Sequence, residues 1–219
     1  MNGWVATPEP RRADAPPRVK ICGLTRLEDA LAAARLGADA LGFNFWPGSK
    51  RFIAPAAARA IIRALPPFVT TVGVLVDPSH DEAVAAAAVS GVQVLQLHGD
   101  ESPELCAHLP LPVLKGIRVS GPAALALLGR YLGVAGFLLD AATPGYGGSG
   151  QTFDWSLVAG AAERVPLVLA GGLTPTNVAE AVRAVRPWAV DVASGVESAP
   201  GVKDLDLMSR FIRAAKERA

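Results

Sequence analysis

The chain has 219 residues, 51% hydrophobic and 19% charged, and its 21 Lys and Arg against 20 Asp and Glu leave a formal charge of +1. This composition is too apolar for a disordered chain, yet no uninterrupted apolar run approaches the roughly 18 residues of a membrane span. A nearly neutral chain has no general attraction for nucleic acid or a membrane surface, so any anionic ligand must be held by local groups.

Cys22 and Cys106 are too few for a disulfide framework, and no Cys/His cluster has zinc-binding spacing, which fits a reducing, cytoplasmic setting. The N-terminus carries Arg11, Arg12 and Asp14 among prolines and lacks the apolar stretch and small-residue cleavage site of a secretory leader. Residues 1–17 hold four prolines and no apolar periodicity, so they read as a flexible extension, with one catalytic domain over residues 18–219.

From Arg18 onward, short β-rich runs alternate with Ala/Leu-rich stretches of helical period, and eight such units can be counted. Strands are expected at Arg18–Cys22, Ala40–Phe45, Val69–Val76, Val94–Leu97, Val113–Ile117, Gly136–Asp140, Leu167–Ala170 and Val190–Val192. Most are continuously apolar, the pattern of parallel strands buried on both faces. Pro55, Pro103, Pro122 and Pro175 each stand where a helix would open, and Thr25 with Glu28 and Ser79 with Glu82 have capping-box spacing. Eight parallel strands with eight helices in about 200 residues predict a (β/α)8 barrel, a TIM barrel, over an open doubly wound sheet.

In such a barrel, chemistry gathers where strands end. The first strand runs into Cys22-Gly23-Leu24-Thr25, which puts a thiol at the mouth as nucleophile, base or filler. The loop after the second strand is basic and aromatic, and its Arg51 is either a clamp for a ligand carboxylate or a solvated charge. His98, just after the fourth strand, is a ligand contact or a hydrogen-bonded structural residue. Cys106 falls on a helix, where core packing is the better reading.

Asp140 closes the sixth strand as a carboxyl after apolar and small residues: a proton donor, or else a cap or an arginine partner. The Gly-rich segment Thr143–Thr152 that follows is a lid or a plain surface loop. Strands seven and eight lead into Gly171-Gly172 and Ser194-Gly195, paired glycine-containing loops of the kind that bind phosphate in this barrel class.

These motifs resemble the phosphoribosylanthranilate isomerase family of tryptophan biosynthesis. The resemblance runs from Val19 to the C-terminus. It is carried by Val19-Lys20-Ile21-Cys22-Gly23-Leu24-Thr25, Gly42-Phe43-Asn44-Phe45 with Ser49-Lys50-Arg51, and Val94-Leu95-Gln96-Leu97-His98-Gly99. Leu139-Asp140, Gly147-Gly148-Ser149-Gly150 with Phe153-Asp154-Trp155, Leu169-Ala170-Gly171-Gly172-Leu173 and Val190-Asp191-Val192-Ala193-Ser194-Gly195-Val196-Glu197 continue it, while residues before Arg18 lie outside the pattern.

The resemblance implies an Amadori rearrangement of N-(5-phosphoribosyl)anthranilate, an aminoaldose, to the aminoketose 1-(2-carboxyphenylamino)-1-deoxyribulose 5-phosphate. It implies neither cofactor nor metal. Asp140 would be the general acid that opens the furanose ring, and Cys22 the general base at C2. Arg51 would hold the anthranilate carboxylate, and the loops at Gly171-Gly172 and Ser194-Gly195 the phosphate.

Other sugar-phosphate barrels remain as alternatives. A histidine-pathway aminoaldose isomerase would show a two-fold repeat with an acid on strands one and five, and indole-glycerol-phosphate synthase would need catalytic lysines at strand ends. A non-catalytic phosphosugar-binding barrel has no use for Cys22 and Asp140. The expected partner is a small phosphosugar, with neither nucleic acid nor membrane. The lack of a long apolar surface stripe favours a monomer over a homodimer.

Overall fold

The computed structural model describes residues 15–141 and 154–217. The extension assigned to residues 1–17 falls outside them up to position 14, as does the Gly-rich Thr143–Thr152 segment. Eight parallel strands form in chain order: β1 (Arg18–Ile21), β2 (Ala40–Asn44), β3 (Thr70–Leu75), β4 (Val94–Leu97), β5 (Val113–Val119), β6 (Gly136–Ala141), β7 (Leu167–Leu169) and β8 (Ala189–Val192). They close because β1 pairs with β8 along its whole length, Arg18 opposite Ala189 through Ile21 opposite Val192. That pairing excludes the open sheet. Among the described residues no helix is long and apolar enough to cross a membrane.

Side chains alternate across each strand, and here both faces are buried for different purposes. Val19 and Ile21 of β1, Leu95 and Leu97 of β4, Phe137 and Leu139 of β6, and Val190 and Val192 of β8 join the core beneath the helices. The other set turns into the barrel. Leu138, Val168 and Ala189 form an apolar plug there, while Gln96, His98, Asp140 and Asp191 line the cavity at the strands' C-terminal ends. Period two within a continuously buried strand thus separates scaffold from chemistry.

The helical layer comprises α1 (Leu27–Arg35), α2 (Pro55–Ile62), α3 (His80–Ser90), α4 (Pro103–His108), α5 (Val178–Val185) and α6 (Leu205–Lys216). α3 carries the expected capping box, with Ser79 and Glu82 each bonding the other's backbone, and ends at Gly91 with φ 77°. In α6, Met208, Phe211, Ile212 and Ala215 repeat at helical spacing and bury one stripe.

Three expectations need correction. Thr25 and Glu28 form no capping box: the Thr25 hydroxyl donates instead to the Gly201 carbonyl at 2.7 Å, and α1 starts at Leu27 without a side-chain cap. Pro175 lies in a turn, with α5 starting only at Val178, because Asn177 holds that turn by accepting from the Thr174 N–H at 2.8 Å and donating to the Gly172 carbonyl at 3.0 Å. After β5 and β6 the connections are 3-10 coils, Pro122–Arg130, Trp155–Val158 and Ala161–Glu163, rather than α-helices. A 3-10 coil rises about 2.0 Å per residue against 1.5 Å, so a short segment spans more of the return path.

A small antiparallel pair, β9 (Glu197–Ala199) and β10 (Val202–Lys203), was not foreseen. It turns through Gly201 at φ +81°, a left-handed conformation suited to glycine.

Candidate active site

A cavity of about 670 Å³ opens at the C-terminal ends of the strands. Cys22, Arg51, His98, Asp140, Gly171, Gly172, Ser194 and Gly195 all line it, so the barrel gathers every site residue expected from the sequence. Their chain separation is removed by the closure of β1 on β8.

Cys22 continues the inward face of β1, two residues beyond Lys20, and is 9% exposed. Lys20 donates to Asp191 Oδ1 at 2.8 Å, a buried ion pair below the thiol. Burial pushes the Cys22 thiol up from its ordinary range; Lys20 pulls against that, and Asp191 adds to it. Desolvation is the largest of these influences. Lys20 itself, despite burial, is held above the ordinary lysine value by Asp191 and Cys22.

Asp140 enters from the far arc of the mouth. Its Oδ1 accepts the Ala141 N–H at 2.8 Å, and Oδ2 lies 3.4 Å from His98 Nε2, an ion-pair distance without hydrogen-bond alignment. The Gln96 amide lies 2.9 Å from His98 Nδ1; with its N–H donating there, the ring proton is left on Nε2, facing Asp140. His98 is therefore fastened on one nitrogen and open on the other. Gly171 adopts φ +84°, and a Cβ there would meet Asp140 Oδ1 at 2.9 Å, so glycine keeps the carboxyl's side clear.

At the phosphate-type loops, Gly172 has φ +62°, and a Cβ at Gly195 would approach the Leu173 carbonyl oxygen to 2.0 Å. The two loops can meet this closely only through glycine. The N–H groups of Gly171, Gly172, Ser194 and Gly195 have no backbone acceptor among the described residues. They remain available to an anion.

Arg51 is not a solvated charge. Its Nε and Nη2 bond both oxygens of Glu197, at 2.8 and 2.7 Å for the shorter contacts, and Lys203 Nζ reaches Glu197 Oε1 at 2.7 Å. Burial works against the Glu197 carboxylate, but the bonds from Arg51 and Lys203 prevail and hold it below the usual carboxylate range. Two cations sharing one anion leave a net positive corner, with Arg51 Nη1 making no hydrogen bond among the described residues.

Gln96, Asp191, Glu197, Lys20 and Lys203 escaped assignment from sequence. The available signal was a polar or charged residue inside an apolar run, as in Val19-Lys20-Ile21 and Val190-Asp191-Val192.

The two thiols are expected to differ in labelling. Cys106 is buried in α4 and pushed up to about 11, first by burial, whereas Cys22 borders the cavity. Iodoacetamide should modify Cys22 first, with activity lost in parallel and a rate rising about tenfold per pH unit while the thiol remains mostly protonated. Peptide mapping at half inactivation checks this; label confined to Cys106 contradicts it.

The family model described as N-(5'phosphoribosyl)anthranilate (PRA) isomerase matches residues 19–214. An N-(5'-phosphoribosyl)anthranilate isomerase of Myxococcus xanthus is 54% identical over 203 residues, covering 91% of this chain and 96% of its own. The crystal structure of phosphoribosyl anthranilate isomerase from Thermotoga maritima is 48% identical, covers 91% of this chain and 98% of its own, and superposes with a TM-score of 0.87. Another crystal structure of a phosphoribosyl anthranilate isomerase, in complex with reduced 1-(O-carboxyphenylamino)-1-deoxyribulose 5-phosphate, is 44% identical with a TM-score of 0.83, with coverage of 91% and 98%. With the barrel, the cavity and these likenesses together, the chain belongs to the N-(5'-phosphoribosyl)anthranilate isomerase family, the aldose–ketose isomerases of tryptophan biosynthesis.

Proposed function

We propose that residues 18–219 act as one catalytic unit that rearranges N-(5-phosphoribosyl)anthranilate by general acid–base catalysis, with Asp140 as acid and Cys22 as base. The observation that carries this reading is that Cys22 on the β1 side and Asp140 on β6 face one cavity from different arcs of the barrel. Asp140, in its acid form, gives its proton to the furanose ring oxygen as the anthranilate nitrogen pushes open the ring to an iminium. The Cys22 thiolate then takes the C2 proton. The C2–H electrons form the C1–C2 double bond, the iminium pair returns to nitrogen, and the resulting enolamine tautomerises to the ketone.

The uncommitted edge of Arg51 would receive the anthranilate carboxylate, and the amides of Gly171, Gly172, Ser194 and Gly195 the phosphate. His98 Nε2 would donate to the Asp140 carboxylate left after ring opening, or to the adjacent sugar oxygen. The product analogue held by the related isomerase supports a phosphosugar of this class as the ligand.

The test is incubation with freshly generated phosphoribosylanthranilate, followed by loss of its fluorescence; folded protein that causes no loss rejects the proposal. Arg51→Ala should raise KM about 10- to 100-fold with kcat nearly kept, because a charge-assisted hydrogen bond is worth about 1.5–3 kcal/mol and this one exists in ground and transition states alike. A fall confined to kcat contradicts that role.

A further inference from the structure

Lys20 and Cys22 enter the barrel from the same face of β1, and Lys20 is only 3% exposed. Gly42 of β2 backs both. A Cβ there would sit 2.7 Å from Cys22 Sγ and 3.1 Å from Lys20 Nζ, so sulfur and ammonium converge on one small space. Lys20's hydrogen bond to an oxygen goes to Asp191, its register partner on β8, leaving other ammonium N–H groups for the sulfur. A buried lysine is costly, and neither proton-transfer step above uses this one.

We propose that Lys20 is a positioning residue for the proton transfer, its ammonium, anchored by Asp191, being the counter-charge that stabilises the thiolate Cys22 must form to act as a base. The inference rests on Cys22 being that base. The other charges acting on the thiol come from Asp191 on β8, Lys203 on β10 and Arg51 in the loop after β2, with Glu197 of β9 bound to the last two. Lys203 and Arg51 share Glu197, and Asp191 has the opposing sign. Lys20 is therefore the cation that shares the space behind Gly42 with the sulfur. Burial raises the thiol, Lys20 counters it more strongly than any other group, and Asp191 reinforces burial.

This arrangement makes a prediction in which the signs differ. In a Cys106→Ala background, which leaves one thiol, the ultraviolet thiolate absorbance and the iodoacetamide rate are titrated against pH. Lys20→Met should move the midpoint up by about one unit or more, making alkylation about tenfold slower near neutral pH. Asp191→Asn should move it down, and Lys20→Arg should recover much of the wild-type midpoint. Both neutral variants break the same buried ion pair, so general loosening of the barrel would shift both alike.

If Lys20→Met does not fold, Lys20→Met/Asp191→Asn, which strands neither charge, should still titrate above wild type. An unshifted midpoint in the folded lysine variant, or shifts of one sign in both single variants, overturns the proposal. The pH profile of kcat/KM separates the two layers. Midpoints that move as stated while the kinetic profile stays fixed uphold the hold of Lys20 on the thiol and reject Cys22 as the base.

Discussion

Asp140→Asn is expected to lower kcat by about 10²–10⁴-fold, the usual worth of one positioned acid or base, or roughly 3–5 kcal/mol of transition-state stabilisation. The replacement is isosteric. Its amide oxygen can still accept the Ala141 N–H that Asp140 Oδ1 now accepts at 2.8 Å, so the loop should keep its shape. What disappears is a proton that can be transferred to the ring oxygen. Tm and affinity for a reduced product analogue should stay close to wild type. Fluorescence-monitored turnover beside a thermal melt checks this, and retained activity would show that ring opening proceeds without Asp140.

Cys22→Ala should lose about as much, and Cys22→Ser scarcely less, because a hydroxyl is a far poorer proton acceptor near neutral pH than a thiol whose anion faces an ammonium. Neither change should unfold the barrel. Cys22 borders the cavity instead of joining the apolar core beneath the helices, and Ser is close to Cys in volume. Activity in the Ser variant approaching that of wild type would assign the C2 proton to another group.

Strand positions were legible because burial on both faces leaves continuous apolar runs, and every expected strand ends within two residues of the observed one. The candidate site was legible for a related reason: Cys22, Asp140 and the glycine loops sit where such runs end. Lys20 and Asp191 were not read as partners, since their 171-residue separation is bridged only when β1 closes on β8. Glu197 and Lys203 depended on a short β9–β10 turn too brief to show periodicity. Arg51 alone could not reveal that Glu197 orients it. Thr25 misled because a hydroxyl serves a local cap and a distant carbonyl equally well, and only the fold put Gly201 within its reach.

Division of labour between Asp140 and Cys22 is most directly tested with phosphoribosylanthranilate deuterated at C2. Cys22→Ser weakens the group that breaks the C2–H bond and makes that step rate-limiting, so deuterium should slow its turnover. Asp140→Asn is halted earlier, at ring opening, where no bond to C2 hydrogen breaks. Its turnover should be indifferent to the label. An isotope effect in Cys22→Ser and none in Asp140→Asn is the result expected of an acid on β6 acting before a base beside β1; the reverse pattern would contradict that order and those roles.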